Sequence, residues 1–315
     1  MSSIRVYIAT FNRAAILRET LEAMTRVDRA GIDVEWIVIN NNCSDDTDAV
    51  CASFDGRLPV RLVHESVPGK NRALNRALAS LPIPDIAVFT DDDVSPDPGW
   101  LREIAGSCDR WPEHDVFGGR IRPRWPGGRK PAWIRQPWLL SIGFAAHDLG
   151  DAEKEYPPSI YPFGPNFWVR GRVFLNGTRY RESIGPTGNS RIMGSETSFL
   201  KDLDSLGHRM VYCPAAALDH RIKENDCDVE VLKRRMTSYG RGRARIHGVN
   251  YNNLLTEHPR RWWLRQRVKL ALAYLRLGLL RLIPSADARI ERVLWHHSKL
   301  GWLKESFVIA RETVC

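Results

Sequence analysis

The chain of 315 residues contains no long uninterrupted apolar run. No stretch reaches the roughly 18–20 consecutive apolar residues that span a bilayer, so a transmembrane helix is not predicted. The first residues enter a strand-like run without a long apolar signal region, and we therefore expect no secretory leader.

Cysteine is also scarce, with six residues and no Cys-x-x-Cys pair. The six are scattered along the chain: Cys43, Cys51, Cys108, Cys213, Cys227 and Cys315. Such scatter favours reduced thiols over a disulfide framework or a zinc site. We therefore expect a reducing compartment and a cytoplasmic protein.

Glycine-rich nucleotide motifs are missing as well. Neither Gly-x-Gly-x-x-Gly nor a Walker loop occurs, which argues against a dinucleotide dehydrogenase and against a P-loop kinase. A bound phosphate would have to be neutralised by side chains or a metal ion instead of a glycine-rich nest.

Charge is unevenly distributed along the chain. The formal net charge is +9, but residues 1–220 carry 26 Lys and Arg against 28 Asp and Glu, whereas residues 221–315 carry 20 against 9. The excess of positive charge therefore belongs to the C-terminal part alone.

Strand and helix patterns alternate over the first part of the chain. β-Branched and apolar runs predict strands, and apolar residues at helical spacing predict helices between them. The predicted strands are 4–10, 34–39, 60–64 and 86–89, and the predicted helices begin near residues 15, 48 and 70. This alternation predicts an α/β fold with a mainly parallel sheet and ligands at the carboxyl ends of its strands.

Three adjacent carboxylates follow the fourth predicted strand. Asp91, Asp92 and Asp93 come directly after Phe89 and Thr90. Neighbouring carboxylates raise one another's pKa unless a cation lies among them, and hard oxygen ligands suit Mg²⁺ or Mn²⁺ carrying phosphates. The alternative is a solvated acidic turn, since the Ser, Pro and Gly residues that follow are typical of turns.

Other polar residues fall at the same predicted edge. Thr10, Asn12 and Asn40 offer hydrogen bonds to a base or ribose, and Lys70 and Arg72 offer positive charge to phosphates. Together with the acidic triplet, they predict a pocket for a nucleotide diphosphate.

Four motifs in this order resemble the signatures of family 2 glycosyltransferases, and the resemblance continues to about residue 222. They are Thr-Phe-Asn-Arg at 10–13, Val-Ile-Asn-Asn-Asn-Cys-Ser-Asp-Asp-Thr at 38–47, Gly-Lys-Asn-Arg-Ala-Leu-Asn at 69–75 and Asp-Asp-Asp at 91–93. The resemblance implies the GT-A fold, which is Rossmann-like, a nucleotide-sugar donor, and Mn²⁺ or Mg²⁺ bridging the diphosphate.

The resemblance also implies residue roles. Thr10, Asn12 and Asn40 would face the nucleoside, with Asn40 standing where many family members have Asp. Asp91 and Asp93 would hold the metal and the ribose, and Asp92, Lys70 and Arg72 would complete the donor site.

Two further segments resemble strands that border the donor sugar. Gly119 lies in the first, at 116–121, and Asn166 in the second, at 164–170. Between them lies a stretch rich in Trp, including Trp125, Trp133 and Trp138. These rings would either stack on an acceptor sugar or pack in a core.

Glu196 occupies the acidic position that the family assigns to the catalytic base. An inverting transfer needs one carboxylate to deprotonate the acceptor hydroxyl, and Glu196 is the only acid within 192–199. The alternative is a helix N-terminal carboxylate stabilised by the helix dipole. His220 ends a predicted strand, where the resemblance implies a third metal ligand beside Asp91 and Asp93.

Residues 226–315 leave the alternating pattern and are predicted to form a basic helical extension to a catalytic domain of 1–225. Apolar residues at helical spacing predict a long helix over 260–283, on which Arg261, Arg265, Lys269 and Arg276 share one side. Its basic face would either be solvated or rest on the anionic inner face of the plasma membrane. Nucleic acid is the less favoured partner.

These patterns and the resemblance predict an inverting, metal-dependent enzyme that transfers a sugar from a UDP-linked donor to a hydroxyl of a glycan or lipid-linked glycan precursor. Two alternatives remain open at this point. One is a sugar-nucleotide binding protein without catalysis, and the other is a GT-A-like nucleotidyltransferase, which would release pyrophosphate.

Overall fold

The computed structural model describes residues 3–187, 190–248 and 258–314. The chain divides into two compact units. The first contains residues 1–124, 145–183 and 195–221, and the second contains 125–144, 184–194 and 222–315. The second unit is thus discontinuous in sequence, because segments 125–144 and 184–194 belong to it together with the C-terminal part.

The first unit is built on a sheet of nine strands within the described residues. The strands are β1 Ser3–Thr10, β2 Asp33–Asn40, β3 Val60–His64, β4 Ile86–Thr90, β5 Val94–Pro96, β6 Val116–Arg124, β7 Lys154–Glu155, β8 Phe167–Arg170 and β11 Met210–Arg221. Their order across the sheet is β3-β2-β1-β4-β8-β6-β11-β5, and β7 pairs with β11.

Five helices belong to the first unit: α1 Ala14–Met24, α2 Thr47–Ala52, α3 Lys70–Ser80, α4 Trp100–Arg110 and α6 Ser195–Ser205. The helix that the sequence predicts to begin near residue 70 begins at Lys70. The predicted α/β fold is confirmed, and strands β1 to β4 pair in parallel as expected. Strand β8 departs from the parallel pattern, because it runs antiparallel to both β4 and β6.

Both faces of the central strands are buried, which explains their almost continuous apolar sequences. Along β1, Val6 and Ile8 pack in one apolar cluster, whereas Tyr7 between them packs in the other. The same alternation places Val88 and Phe89 of β4 on opposite faces. Because β1 pairs in parallel with both β2 and β4, the carboxyl ends of these three strands meet at one edge of the sheet. The polar residues predicted for the site follow these strand ends.

The second unit contains the hairpin of β9 Gly185–Thr187 and β10 Ser190–Ile192, and the helices α5 Pro137–Phe144, α7 Val229–His247, α8 Pro259–Leu279 and α9 Ala286–Val314. Helices α7 and α9 approach closely through glycine. A Cβ on Gly240 would lie 1.8 Å from the carbonyl oxygen of Ser298, and one on Gly301 would lie 2.0 Å from that of Thr237. Only glycine allows this contact.

The tryptophans of the irregular stretch pack within the second unit. Trp125, Trp133 and Trp138 contact an apolar cluster around Leu232 and Met236. They therefore follow the core alternative of the sequence analysis. Within the described residues, no helix is both long and apolar enough to cross a membrane.

Candidate active site

The acidic triplet lies where β4 ends, and Arg13 neutralises two of its members. The guanidinium of Arg13 donates hydrogen bonds of 2.5 Å to Asp92 and 2.6 Å to Asp93. Arg13 directly precedes α1, so the first loop of the sheet delivers the cation to the acidic turn. This arrangement supplies the positive charge that three adjacent carboxylates require.

Asp92 is the buried member of the triplet. Thr10, at the end of β1, donates a 2.7 Å hydrogen bond to its Oδ2, and Thr20 of α1 donates to its backbone carbonyl. Burial and the charge of Asp93 raise the pKa of Asp92 to about 6 despite the opposing charge of Arg13. Thr10 and Asp92 thus contact each other, and both are almost completely buried.

Lys70 joins the triplet to Glu196. Its ammonium group, at the start of α3, donates a hydrogen bond of 2.7 Å to Oδ1 of Asp91 and one of 2.6 Å to Oε1 of Glu196. Burial alone would lower the pKa of Lys70, but the two carboxylates hold it above its usual value. The structure therefore brings three predicted site residues into one contact.

Space for the Glu196 carboxylate depends on Gly164. A Cβ at residue 164 would lie 2.7 Å from Cδ of Glu196, closer than such atoms approach in proteins. Glu196 is also in the first turn of α6, as its helix-terminus alternative requires. Its side chain nevertheless points to Lys70 and the acidic turn, which the helix-terminus role does not require.

Asp93 and His220 form the part of the site that suits a metal ion. Oδ1 of Asp93 lies 3.3 Å from Nε2 of His220, which is near the end of β11. This oxygen is buried and accepts no hydrogen bond of good geometry from the described residues. Although burial alone would raise the pKa of Asp93, His220 and Arg13 hold it well below its usual value.

The predicted set of three metal ligands is not assembled. Across residues 3–187, 190–248 and 258–314, no group of three or more His, Cys, Asp or Glu side chains could hold an ion. Asp91 is held by Lys70, while Asp93 is held by Arg13 and His220. Two protein ligands still fit Mg²⁺ or Mn²⁺, which commonly take one or two carboxylates together with substrate phosphates.

Asn40 is engaged by a carboxylate that the sequence analysis did not identify. Its side-chain amide N–H donates a hydrogen bond of 2.6 Å to Oδ1 of Asp48. Its side-chain oxygen accepts one of 2.7 Å from the backbone N–H of Cys43. Nε2 of His64, at the end of β3, lies 2.8 Å from the other oxygen of Asp48. A carboxylate thus lies beside residue 40, although residue 40 itself is neutral.

Asn12 is exposed and lies at the same edge. Its side-chain oxygen accepts a hydrogen bond of 2.7 Å from the backbone N–H of Ser44. This bond connects the loop after β1 to the loop after β2. Its φ of 51° lies in the left-handed region, which asparagine tolerates better than most residues.

Asn166 does not lie where a sugar could contact it. It is fully buried, and its amide donates to the carbonyls of Arg120 and Ala216 while its oxygen accepts from the indole of Trp100. A Cβ on Gly119 would collide with Asn166 and with the carbonyl of Ala216. In this structure both predicted donor-sugar residues are therefore packing residues, which corrects the sequence analysis.

Arg72 is likewise not brought to the acidic turn. It lies two residues after Lys70, on an exposed face of α3, and its guanidinium forms an ion pair of 2.8 Å with Glu182. Residues two apart on a helix point in different directions, so only Lys70 reaches the site.

Two site residues were missed by the sequence analysis, although each carried a signal. Arg13 belongs to the first motif and supplies the cation that the triplet demanded. Asp48 lies in the first turn of α2, just after Asp45 and Asp46, and only the fold shows which of these acids reaches residue 40.

A comparison with protein-family models matches residues 5–158 to "Glycosyl transferase family 2". Among curated proteins, the chain is similar to a glucosyl-dolichyl phosphate glucuronosyltransferase from Haloferax volcanii, with 21% identity over 225 residues that cover 70% of each chain.

Solved structures with the same fold include a mannosyltransferase and a protein in complex with UDP-GlcNAc. The mannosyltransferase PcManGT of Pyrobaculum calidifontis, in complex with GDP-Man and Mn²⁺, has a TM-score of 0.62 and 16% identity, covering 97% of this chain and 87% of its own. TarS 1–349 of S. aureus, in complex with UDP-GlcNAc, has a TM-score of 0.55 and 14% identity. The match covers 99% of this chain and 91% of the TarS chain.

The matched segment contains Arg13, Asn40, Lys70 and the acidic triplet, so the family match and the site geometry coincide. The fold is that of the GT-A glycosyltransferases. Residues 5–158 therefore match glycosyltransferase family 2, and the chain is a glycosyltransferase that acts on nucleotide sugars.

Proposed function

We propose that this enzyme transfers a sugar, with inversion at the anomeric carbon, from a UDP-linked donor to a hydroxyl of a glycan or lipid-linked glycan. The observation that carries the proposal is the contact of Lys70 with both Asp91 and Glu196. It brings the candidate base to the acidic turn, and hence next to the diphosphate in the proposed donor site.

The nucleoside of the donor would lie along the ends of β1 and β2. Asn12 is exposed there, and Asp48 beside Asn40 offers a carboxylate to the N–H groups of a base. Thr10 would act by fixing Asp92 rather than by contacting the nucleoside, because it is buried and already donates to that carboxylate.

A divalent ion, Mn²⁺ or Mg²⁺, would be held by Asp93 and His220, and Asp91 would be available when Lys70 turns to the diphosphate. Bound there, the ion would neutralise negative charge on the leaving diphosphate. The pairing of a buried Asp93 oxygen with the imidazole of His220 supports this assignment, because both are groups that can ligate such an ion.

Glu196 would act as the general base. Its carboxylate would take the proton from the acceptor hydroxyl as the new bond forms from that oxygen to the anomeric carbon. The bond from the anomeric carbon to the diphosphate breaks on the opposite face, and its electron pair leaves with the nucleotide. Lys70 would offer its charge to that leaving group.

The acceptor class is supported by the comparison with the Haloferax protein, whose name gives a dolichyl phosphate-linked glucose as its acceptor. A lipid-linked acceptor requires the enzyme to work at a membrane surface. We therefore propose peripheral contact with an anionic membrane, made by the basic C-terminal helices, with the cytoplasmic inner face of the plasma membrane as its location.

The decisive experiment is a thermal-shift screen of UDP-, GDP-, dTDP- and CMP-sugars with and without Mn²⁺. A ligand at 100 times its Kd stabilises the folded state by about 2.7 kcal/mol, which is readily measured. We expect the largest shift with a UDP-sugar and Mn²⁺. Stabilisation by GDP-sugars alone would contradict the assignment of a UDP-linked donor. The absence of a thermal shift with every one of these sugars would contradict the proposed function.

A further inference from the structure

A groove in the second unit is lined by four cations. It lies among α7, α8 and α9, has a volume of about 470 Å³, and is bordered by Arg243, Lys269, Arg276 and Lys299, which we call the basic groove. Trp302, Leu272 and Leu303 form apolar parts of its wall, and no acidic residue is among the described residues that line it.

The four cations form no ion pair with a carboxylate in the part of the chain that the structure describes. Other arginines of α7 behave differently. Arg241 and Arg245 both donate to the buried carboxylate of Glu305, and Arg245 also pairs with Glu312. Glu305 and Glu312 of α9 are thus occupied, and no carboxylate of the described residues pairs with a cation of the basic groove.

Beside the groove, α8 presents apolar side chains to solvent. Five of them are between 47% and 64% exposed, and we call them the apolar row: Leu264, Val268, Leu272, Leu275 and Leu279. At about 100° per residue they fall within an arc of roughly 80°. Leu282, just after the helix, is 78% exposed.

The opposite side of α8 is the one that packs within the unit. Trp262 contacts Phe307 and Ala310 of α9, and Ala273 packs with Leu300. The helix is therefore already anchored without the apolar row. Exposed rows of this kind mark interaction surfaces, since soluble surfaces rarely leave so much contiguous apolar area uncovered.

Cations border the apolar row on both sides. On the helical wheel Arg265 lies at one edge together with Lys269 and Arg276 of the groove, and Arg260 and Arg267 lie at the other. All five side chains are exposed. The sequence from 258 to 286 contains no Asp or Glu.

We propose that the basic groove binds the phosphate headgroup of an anionic membrane phospholipid while the apolar row lies among the first methylenes of its acyl chains. The inference rests on the proposed membrane contact and gives it a site and a ligand. It also assigns the contact to the apolar row and the groove, and not to Trp262, which is buried.

The combination of the two features selects the partner. Nucleic acid would match the charge but not a row of five exposed aliphatic side chains. A second copy of this chain would match the apolar row but would place seven like charges of 260–281 against seven more. An anionic lipid surface matches both, with hydrocarbon beside phosphate.

The test is flotation with vesicles of phosphatidylcholine alone and of phosphatidylcholine with phosphatidylglycerol, at constant salt. The groove variant is Arg243→Gln with Lys299→Gln, because these residues lie on α7 and α9 and leave α8 unchanged. Its matched control is Arg234→Gln with Arg292→Gln, two exposed arginines on the same helices that do not line the groove.

We expect the wild type and the control to bind the anionic vesicles, and the groove variant to bind them at least about tenfold more weakly, since each cation near an anionic surface adds about 1 kcal/mol. Equal loss in the control would overturn the site, because charge alone would then act. Equal binding to both vesicle types would overturn the proposal that the ligand is an anionic phospholipid.

Inorganic phosphate at the same total phosphate concentration separates a lipid headgroup from free phosphate. We expect it to leave flotation unchanged, and full displacement would overturn the lipid assignment. Stronger binding of the wild type to single-stranded RNA than to anionic vesicles would also overturn it.

The apolar row is tested by Leu275→Ser with Leu279→Ser, against Leu175→Ser with Leu206→Ser. The control leucines are 69% and 67% exposed but lie in the first unit. We expect only the first pair to lose vesicle binding. Transfer to a water-soluble acceptor should be unchanged in all these variants, so loss of docking is distinguishable from failure of the proposed transferase activity.

Discussion

Lys70 donates a 2.6 Å hydrogen bond to Oε1 of Glu196, a residue 126 positions later in the chain. The same ammonium group holds Asp91. In this conformation the proposed base is paired with a cation that the donor diphosphate would also attract. Donor binding should therefore weaken the hold on Glu196 before the acceptor is deprotonated.

Replacing the base should separate binding from chemistry. We expect Glu196→Gln to keep donor affinity within a few-fold while turnover falls by about 10²–10⁴-fold, the usual contribution of general acid–base catalysis. The measurement is steady-state turnover together with calorimetric UDP affinity. Glu182→Gln, which removes an exposed carboxylate of the same unit that contacts Arg72 and Asn75 and not the site, is the control. Full turnover in Glu196→Gln would refute the role.

Metal dependence should be visible in nucleotide affinity. We expect Mn²⁺ to tighten UDP binding to the wild type, and EDTA or Asp93→Asn to abolish that increment, because Asp93 supplies the carboxylate oxygen beside His220. Isothermal titration with and without Mn²⁺ measures it. If Mn²⁺ leaves UDP affinity of the wild type unchanged, the metal assignment is wrong.

Gly164→Ala should act on catalysis through Glu196. The new methyl group would lie 2.7 Å from Cδ of that residue and must displace the carboxylate. A displacement near 1 Å costs up to about 10²-fold in rate, so we expect kcat to fall tenfold or more while UDP affinity holds. Gly99→Ala, which meets no atom within 4 Å, is the matched control. An unchanged kcat would show that Glu196 need not stay in place.

Asn40 and Asp48 should respond as a coupled pair. Asn40→Asp alone would place two carboxylates at the present 2.6 Å contact in a buried position and should destabilise the protein by about 1–3 kcal/mol. Adding Asp48→Asn restores one donor and one acceptor and should recover most of that loss. A double-mutant cycle by chemical denaturation measures the coupling. Additive effects would mean that the contact contributes nothing.

His147 should make the first unit sensitive to acid. Burial lowers its pKa to about 4, although Asp148 opposes the shift, and Nε2 lies 2.7 Å from the hydroxyl of Tyr156. The unfolded chain, with a pKa near 6.5, binds more protons below that pH, so stability falls as pH drops from about 6.5 to 4. The loss from this residue between pH 7 and pH 5 is about 2 kcal/mol.

Urea unfolding at the two pH values checks this prediction, with His147→Gln as the comparison. The variant should lack that part of the acid sensitivity while keeping the rest. An identical loss of stability in both proteins would assign the acid sensitivity to other groups.

The sequence was informative where periodicity and motif order are local. It predicted the alternation of β1 to β4 with helices, and it located Lys70, the acidic triplet, Glu196 and His220. Lys70 and the acidic triplet sit at a helix start and a strand end, so their positions follow from the fold class, whereas Glu196 and His220 were assigned through the family resemblance. That is why the edge of the sheet could be predicted without coordinates.

Side-chain partners could not be predicted in the same way. Arg72 and Lys70 share a motif, yet the turn of α3 sends one to Glu182 and the other to Asp91. The motif of Asn166 borders the site and predicts a sugar contact, but its side chain is fully buried among β6, β11 and α4. Segments 125–144 and 184–194 join the second unit through contacts with residues far along the chain.

The bonding of Asn166 has a kinetic consequence for strand β8. Its side chain is bonded to β6, β11 and α4 at once, and its carbonyl accepts from Gly119. Strand β8 therefore cannot separate from its neighbours by a local opening, because all four bonds would break together. Amide hydrogens over 167–170 should exchange with deuterium only when the whole unit unfolds, so their exchange rates should report its global free energy of unfolding directly.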